Sequence, residues 1–378
     1  MLKDQTQYRW AISFHNIELF AAFLFFLLIP FKNTGIIHYV IWLGAVATMC
    51  NVGLTAYYCR VERKTFLSFL VLLLVLSISL IVSSSINTDG LLYSVLCYIA
   101  LFWTIALNNT FYKNEKKIES ILRFAICSGV LFSVYSFFPF AYYRDDGTIS
   151  PNLTLFFGNS NLTGIYIFCV VCILLVATRK KRKRFALSVL ILYLLYLLWK
   201  TGARTCILAA LFVVPFSILS KKNYVPKIAV LLCFFLPILF VPMYLILYRE
   251  GYSDIVVLGK DLFSGRQFTY KMYLSYLQNT IQWLFGNLGV AGFQNAHNAP
   301  LAHVCSTGLI GTTVFYSMLF RKTMECRLNQ NKIACIALIC ILGLFIQSIG
   351  EASIFLGGFP GIVFVYILFY LAGKGELE

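Results

Sequence analysis

Three side chains of this sequence stand where reactive groups are rare: Arg204 and His297 at the edges of long apolar runs, and Arg266 in the long loop between two of them. A charged group in hydrocarbon costs several kcal/mol unless it is paired, so an ionisable residue at such an edge is a functional candidate. Arg204 lies in Lys200-Thr201-Gly202-Ala203-Arg204-Thr205, a tight turn between two apolar runs, and opens the second. A helix starting there offers unpaired N–H groups and the positive end of its dipole. With a guanidinium added, the place suits phosphate. An interfacial arginine that snorkels toward lipid headgroups accounts for it too. Arg266 lies in Ser264-Gly265-Arg266-Gln267, and a serine followed three residues later by glutamine is a capping box. The spacing predicts a helix from here to Phe285, with Phe268, Met272, Tyr276, Leu277, Ile281 and Leu284 on one apolar face along the outer membrane surface. A cation in the first turn of a helix is disfavoured unless an anion balances it.

His297 sits in Gln294-Asn295-Ala296-His297-Asn298-Ala299-Pro300, where the proline suits a first helical turn. The histidine is then just outside the next apolar run. There it can act as a base near neutral pH, or serve as a polar anchor. Glu351, at the outer end of the last pair of apolar runs, can pair with an arginine, orient the histidine, or be a plain interfacial acid. Asn161 can hydrogen-bond a sugar or cap the run it opens, and Asn298 adjoins His297. His15, His38 and His303 read as embedded in or beside apolar runs without partners, and Glu18 as an acid near the inner end of the first run, paired locally.

The elements that must position these groups follow from composition. The chain is 60% hydrophobic and 12% charged, with mean hydropathy +0.81. A soluble domain of this size carries about twice that charged fraction. In lipid every backbone N–H and C=O must be satisfied internally, which leaves helices or a closed barrel. Barrel strands are ~10 residues of alternating polarity. The apolar runs here are continuous and about twice as long, so the expectation is an all-α polytopic bundle. Twelve spans are expected over 12–30, 36–57, 66–86, 91–110, 121–141, 161–178, 185–200, 204–220, 228–248, 299–320, 333–350 and 354–372. They form a single domain over 1–378, with one large outer loop at 249–298 and a smaller one at 142–160.

The net charge of +16 does not point to nucleic acid, because the basic residues form short clusters between apolar runs. With the N-terminus inside, the inner segments hold 23 of the 31 Lys and Arg, and the run Arg179 to Arg184 alone sets its turn inside. Both termini are then expected in the cytoplasm. Most of the twelve cysteines lie within apolar runs and read as small hydrophobes, including the Cys169-x-x-Cys172 pair; Cys59 and Cys326 fall in basic loops. The N-terminal segment has no small-residue cleavage site and reads as a retained span. No D-x-D, no metal-ligand spacing and no glycine-rich nucleotide loop is present, so the expected chemistry uses no metal, cofactor or nucleotide.

These segments, in this order, resemble the O-antigen ligase/polymerase superfamily of bacterial polysaccharide assembly. Gly158-Asn159-Ser160-Asn161-Leu162 resembles its asparagine-bearing span start, and Thr201-Gly202-Ala203-Arg204-Thr205 its S/T-R turn, with two residues inserted. Ser264-Gly265-Arg266 resembles its S-G-R, and Leu284-Phe285-Gly286-Asn287-Leu288-Gly289 its L-x-G-x-G. His297-Asn298, followed by Gly308-Leu309-Ile310-Gly311, resembles its H-N and G-x-x-G. The similarity covers roughly 150–355; the earlier spans match in hydropathy alone.

The resemblance implies a GT-C-like, metal-independent, inverting transferase in the bacterial cytoplasmic membrane, working on the periplasmic or extracellular face. Its donor and acceptor would be oligosaccharides on undecaprenyl pyrophosphate. Arg204 and Arg266 would hold the pyrophosphate, His297 would be the base, and Glu351, Asn161 and Asn298 would support them. A polymerase of O-antigen or capsular repeat units, accompanied by a flippase and a chain-length regulator, is the expected activity. A ligase moving finished glycan to lipid A-core is the alternative, and a lipid-linked oligosaccharide flippase a second.

Overall fold

The computed structural model describes residues 2–58, 61–83, 86, 90–107, 115–178, 184–219, 224–249, 256–257, 260–261, 265–329 and 331–373, with backbone alone for 2–13, Tyr58 and the four strand residues. The basic run 179–183, Cys59 and Ser264 lie outside them.

The fold is a multi-pass helical membrane bundle. Its first part comprises α1 (Leu2–Leu28), α2 (Ile36–Tyr58), α3 (Arg63–Ile81), α4 (Leu91–Ala106) and α5 (Glu115–Tyr135). There follow α6 (Ser160–Ala177), α7 (Arg184–Thr201), α8 (Arg204–Leu219) and α9 (Lys227–Arg249). A two-residue antiparallel ribbon pairs Val256 with Asp261 and Val257 with Lys260. Beyond it come α10 (Arg266–Leu274), α11 (Thr280–Phe285) and α12 (Leu288–Ala291). The chain then returns through α13 (Ala299–Arg327), α14 (Lys332–Gln347) and α15 (Gly361–Ala372). Among the described helices, seven are long and apolar enough to cross a membrane, and four more apolar helices are 10–17 residues long.

Hydrophobicity cannot separate inside from outside in such a bundle, because lipid is as apolar as leucine. Packing does. α6, α14 and α15 are buried along nearly their whole length. α3, α7, α8 and α9 surround them and turn Leu74, Leu192, Leu211 and Leu239 outward. α1 and α5 are tied at one end, where the Tyr135 hydroxyl donates to the carbonyls of Phe26 and Leu27. The same end carries the starts of α6, α8 and α13, the end of α14, and helices α10 to α12.

Each of the twelve expected segments carries a helix, but the boundaries differ where polar residues still find partners. α13 runs on to Arg327, so Cys326 is buried in a helix and not in a loop. Lys322 in the same stretch pairs with Glu325 at 2.9 Å. The last helix starts at Gly361, and turns occupy the residues before it. The single helix expected from Ser264 to Phe285 is broken. α10 starts at Arg266 after Gly265, which has φ +73° and gives no side-chain cap. Gln267 is buried and, among the described residues, its amide oxygen has no hydrogen-bond partner. The capping chemistry sits further on: Asn279 Oδ1 accepts from Gln282 N at 2.9 Å, and Gln282 Oε1 accepts from Gln278 N at 2.8 Å. That second start competes with helix continuation. The carbonyls freed by the break are taken by Asn287 Nδ2 on Tyr276 and by Cys305 Sγ on Tyr273.

Phe268 and Met272 point out of the protein as expected, while Tyr270 and Tyr273 point in. The segment from α10 to α12 is pressed onto α13 backbone to backbone. A Cβ at Gly286 would lie 2.4 Å from the Ser306 carbonyl oxygen, and one at Gly308 2.3 Å from that of Leu284. Only glycines allow this approach.

Candidate functional site

Glu351 lies in the turn after α14 and is 3% exposed. A buried carboxylate needs partners, and three chain segments supply them. Asn161, in the first turn of α6, donates its Nδ2 to Oε1 at 2.7 Å. Asn295, in the loop before α13, donates to Oε2 at 2.8 Å. His297 places Nδ1 3.1 Å from Oε1. The first residue of α10, Arg266, places a guanidinium nitrogen 3.8 Å from the same oxygen. That contact is an ion pair but too long for a hydrogen bond, so the fork of N–H donors is left for another anion.

The local sequence explains how these side chains are held. Asn295 Oδ1 accepts from His297 N at 2.9 Å and from Ala352 N at 3.0 Å, so one asparagine ties the histidine loop to the Glu351 turn. The i to i+2 bond is an Asx turn. It fixes His297 at φ +56°, a region that costs a non-glycine residue free energy. The Tyr270 hydroxyl donates to the His297 carbonyl at 3.4 Å, and burial pushes that phenol up to about 12, so it stays a donor. Asn298 is fully buried. It caps α13 through Leu301 N and donates to the carbonyls of Pro237 and Ile349, pinning α9 and the Glu351 turn to the histidine loop.

Arg204 opens α8 and is half-buried. Its neighbour Thr205 packs on Gly350, where an added Cβ would lie 2.5 Å from both Thr205 Cγ2 and Arg266 Nη1. Its other neighbour, Ala203, packs on Gly164, one turn inside Asn161. The first turn of α8, the guanidinium of Arg266 and the Glu351 turn therefore share one small region. The loop before α6 closes it from the side: Leu153 N donates to Lys200 O, Thr163 Oγ1 to Thr154 O, and Lys32 pairs with Asp145.

The six residues singled out in the sequence thus fall at one end of the bundle. Arg266, His297 and Asn161 meet on Glu351, Asn298 braces them, and Arg204 joins through Thr205. Asn161 is not the cap of α6. That role belongs to Asn159, whose Oδ1 accepts from Asn161 N and Leu162 N. Asn295 and Tyr270 were not anticipated; the Asn-x-His spacing that makes the Asx turn was the available signal. His303, expected without partners, sits between the Tyr98 hydroxyl at 3.1 Å and the Phe355 carbonyl at 3.0 Å, as a core group. Glu18 is bonded not locally but by α2, thirty or more residues away.

Chemically, the carboxylate fixes the imidazole. With the proton on Nδ1 directed at Glu351, Nε2 carries the lone pair, and the ring is 35% exposed. Beside it stand a 20%-exposed guanidinium and the first turn of α8, both suited to an anion. Compared with protein-family models, with curated proteins and with solved structures, the chain finds no match in any of the three.

Proposed function

We propose that the chain is a membrane glycosyltransferase of twelve spans and GT-C-like arrangement. It joins undecaprenyl-pyrophosphate-linked oligosaccharide repeat units into O-antigen or capsular polysaccharide on the outer face of the bacterial cytoplasmic membrane. The observation that carries this reading is the buried Glu351, which gathers a histidine and an arginine at one end of the bundle. A glycosyl pyrophosphate is already activated, so the protein must supply a base for the acceptor hydroxyl and fixed positive charge for the leaving group. His297 Nε2 takes the proton of the acceptor hydroxyl, and that oxygen attacks the anomeric carbon of the donor. The bond from this carbon to pyrophosphate breaks with inversion, and its electron pair leaves on the pyrophosphate. Arg266, Arg204 and the first turn of α8 receive the added charge. Glu351 holds the imidazole and balances the imidazolium, as a carboxylate does behind any histidine base.

The test uses the purified protein in lipid with a lipid-linked repeat unit and no added nucleotide. A ladder of products is expected. Removing a single donor to developing charge costs roughly 10²–10³ in rate, and removing a general base roughly 10²–10⁴. His297→Ala and Arg266→Ala should each abolish visible laddering, and full ladders from either variant would sink the assignment. Products formed only with a lipid A-core acceptor would make the protein a ligase.

A further inference from the structure

A second buried carboxylate lies deep in the bundle, on a helix with no part in the Glu351 cluster. Glu18 and His15, one turn apart on α1, are both fully buried. Thr48 Oγ1 and Asn51 Nδ2, on α2, donate to the two Glu18 oxygens at 2.9 and 3.0 Å. α5 contributes Lys117, 3% exposed and three residues into the helix, which faces both Glu18 and His15. α15 contributes Tyr366 and Tyr370, whose ring centroids lie 5.4 and 6.3 Å from that of His15. The Lys117 ammonium is 6.0 Å from the Tyr370 centroid. Among the described residues, the titratable groups facing Glu18 or its neighbour His15 are therefore Lys117, Tyr366 and Tyr370; α2 brings neutral donors only.

Two observations set this cluster apart from ordinary packing. Both hydrogen bonds to the carboxylate come from neutral groups. Among the described residues, neither nitrogen of His15 makes a hydrogen bond of normal length and angle, the Lys117 backbone being only a loose partner, and the Asn51 amide oxygen accepts none. An unsatisfied buried polar group costs about 1–3 kcal/mol, and an apolar side chain would fill the space without that cost. An imidazole only loosely held by backbone, beside the Lys117 ammonium and one helical turn from the Glu18 carboxylate, has a nitrogen to take a proton and one to give it. Ionisable groups inside a membrane bundle mark such relays.

We propose that Glu18, His15 and Lys117 form a proton-binding site inside the bundle, separate from the Glu351 cluster and nearer the opposite membrane face. A proton leaves the Lys117 ammonium as one His15 nitrogen takes it, directly or through a bridging water. The other His15 nitrogen gives its proton to Glu18. An N–H bond of lysine breaks, an O–H bond of glutamic acid forms, and the imidazole ends in its other tautomer. Two opposed charges are thereby removed from an apolar interior. Lys117, near the end of α5 farthest from Tyr135, is reprotonated from that membrane face. The proposal does not depend on the transferase reading.

The experiment is infrared difference spectroscopy of the purified protein in lipid, titrated through the neutral range. A carboxylic-acid carbonyl band that titrates in wild type and vanishes in Glu18→Gln is expected. Lys117→Met should move its midpoint to higher pH by about tenfold in proton concentration or more, because a facing cation is removed. No acid band dependent on Glu18 at any pH where the protein stays folded overturns the proposal. Should Glu18→Gln fail to fold, Thr48→Val and Asn51→Leu keep the carboxyl and remove its donors. They must shift the band in frequency and midpoint, and a band that neither variant moves also overturns it.

Discussion

Glu351 and Glu18 are the same side chain, 3% and 0% exposed, in one bundle, yet their surroundings differ in kind. Glu351 ends a helix and draws partners from three other segments, two of them ionisable and partly open to the outside. Glu18 sits within a helix, is bonded by neutral groups of one neighbour, and faces an ammonium and an imidazole that are sealed in with it. Burial alone therefore says little about what an acid does. A carboxylate at the rim can hold a base and a cation against a bulky substrate. One in the interior is reached by nothing larger than a proton or a water.

The largest effect that separates the two regions should come from Glu351→Gln. The amide keeps the size of the acid but loses the charge that balances His297, and it turns an NH₂ toward the Asn295 donor. Removing the carboxylate behind a histidine base costs roughly 10²–10⁴ in turnover. The loss should appear in kcat more than in KM, measured as the initial rate of chain extension. Near-normal turnover would make Glu351 a packing group and erase the contrast with Glu18.

Gly350→Ala sharpens the comparison by moving a cation without removing one. The new Cβ would stand 2.5 Å from Arg266 Nη1 and from Thr205 Cγ2. Overpacking of this kind costs about 1–3 kcal/mol, and the flexible end of an arginine gives way most easily. A displacement of about 1 Å in a catalytic group can cost up to ~10² in rate. Turnover should thus fall roughly 10- to 100-fold while the thermal midpoint drops only a few degrees. Unchanged turnover with lost stability would show that the position of Arg266 does not matter.

The amino-acid sequence made the helices legible because continuous apolar runs of bilayer length admit one solution in lipid. It made the rim legible because Arg204, His297 and Glu351 fall where such runs begin or end, and Arg266 opens the one helix expected in the long loop between them. It hid the interior cluster. His15 and Glu18 lie about a hundred residues from Lys117, and nothing in one strand of text shows that α1, α2, α5 and α15 meet. It also misled where two polar signals compete. Ser264-x-x-Gln267 reads as the start of one long helix, but a second start at Asn279 breaks it, with Asn287 and Cys305 bonding carbonyls near the break.

The smallest effect is the most discriminating, because it compares two asparagines in one turn of α6. Asn159 accepts from the backbone of Asn161 at 2.8 Å and of Leu162 at 3.3 Å, and among the described residues its side chain makes no bond to Glu351 itself. Its loss by Asn159→Ala should cost about 1 kcal/mol, the usual value of a cap, and leave turnover near wild type. Asn161→Ala removes a 2.7 Å bond to a carboxylate, worth about 1.5–3 kcal/mol. It also leaves Glu351 Oε1 to His297 and Arg266 alone, so turnover should fall several-fold as the carboxylate shifts between them. Thermal melts and extension rates of the two variants, measured side by side, separate the roles. If both lower turnover equally, α6 merely has to be in place. A fall in Asn161→Ala alone means that the charge network around Glu351 is what the rim of the bundle is built to hold.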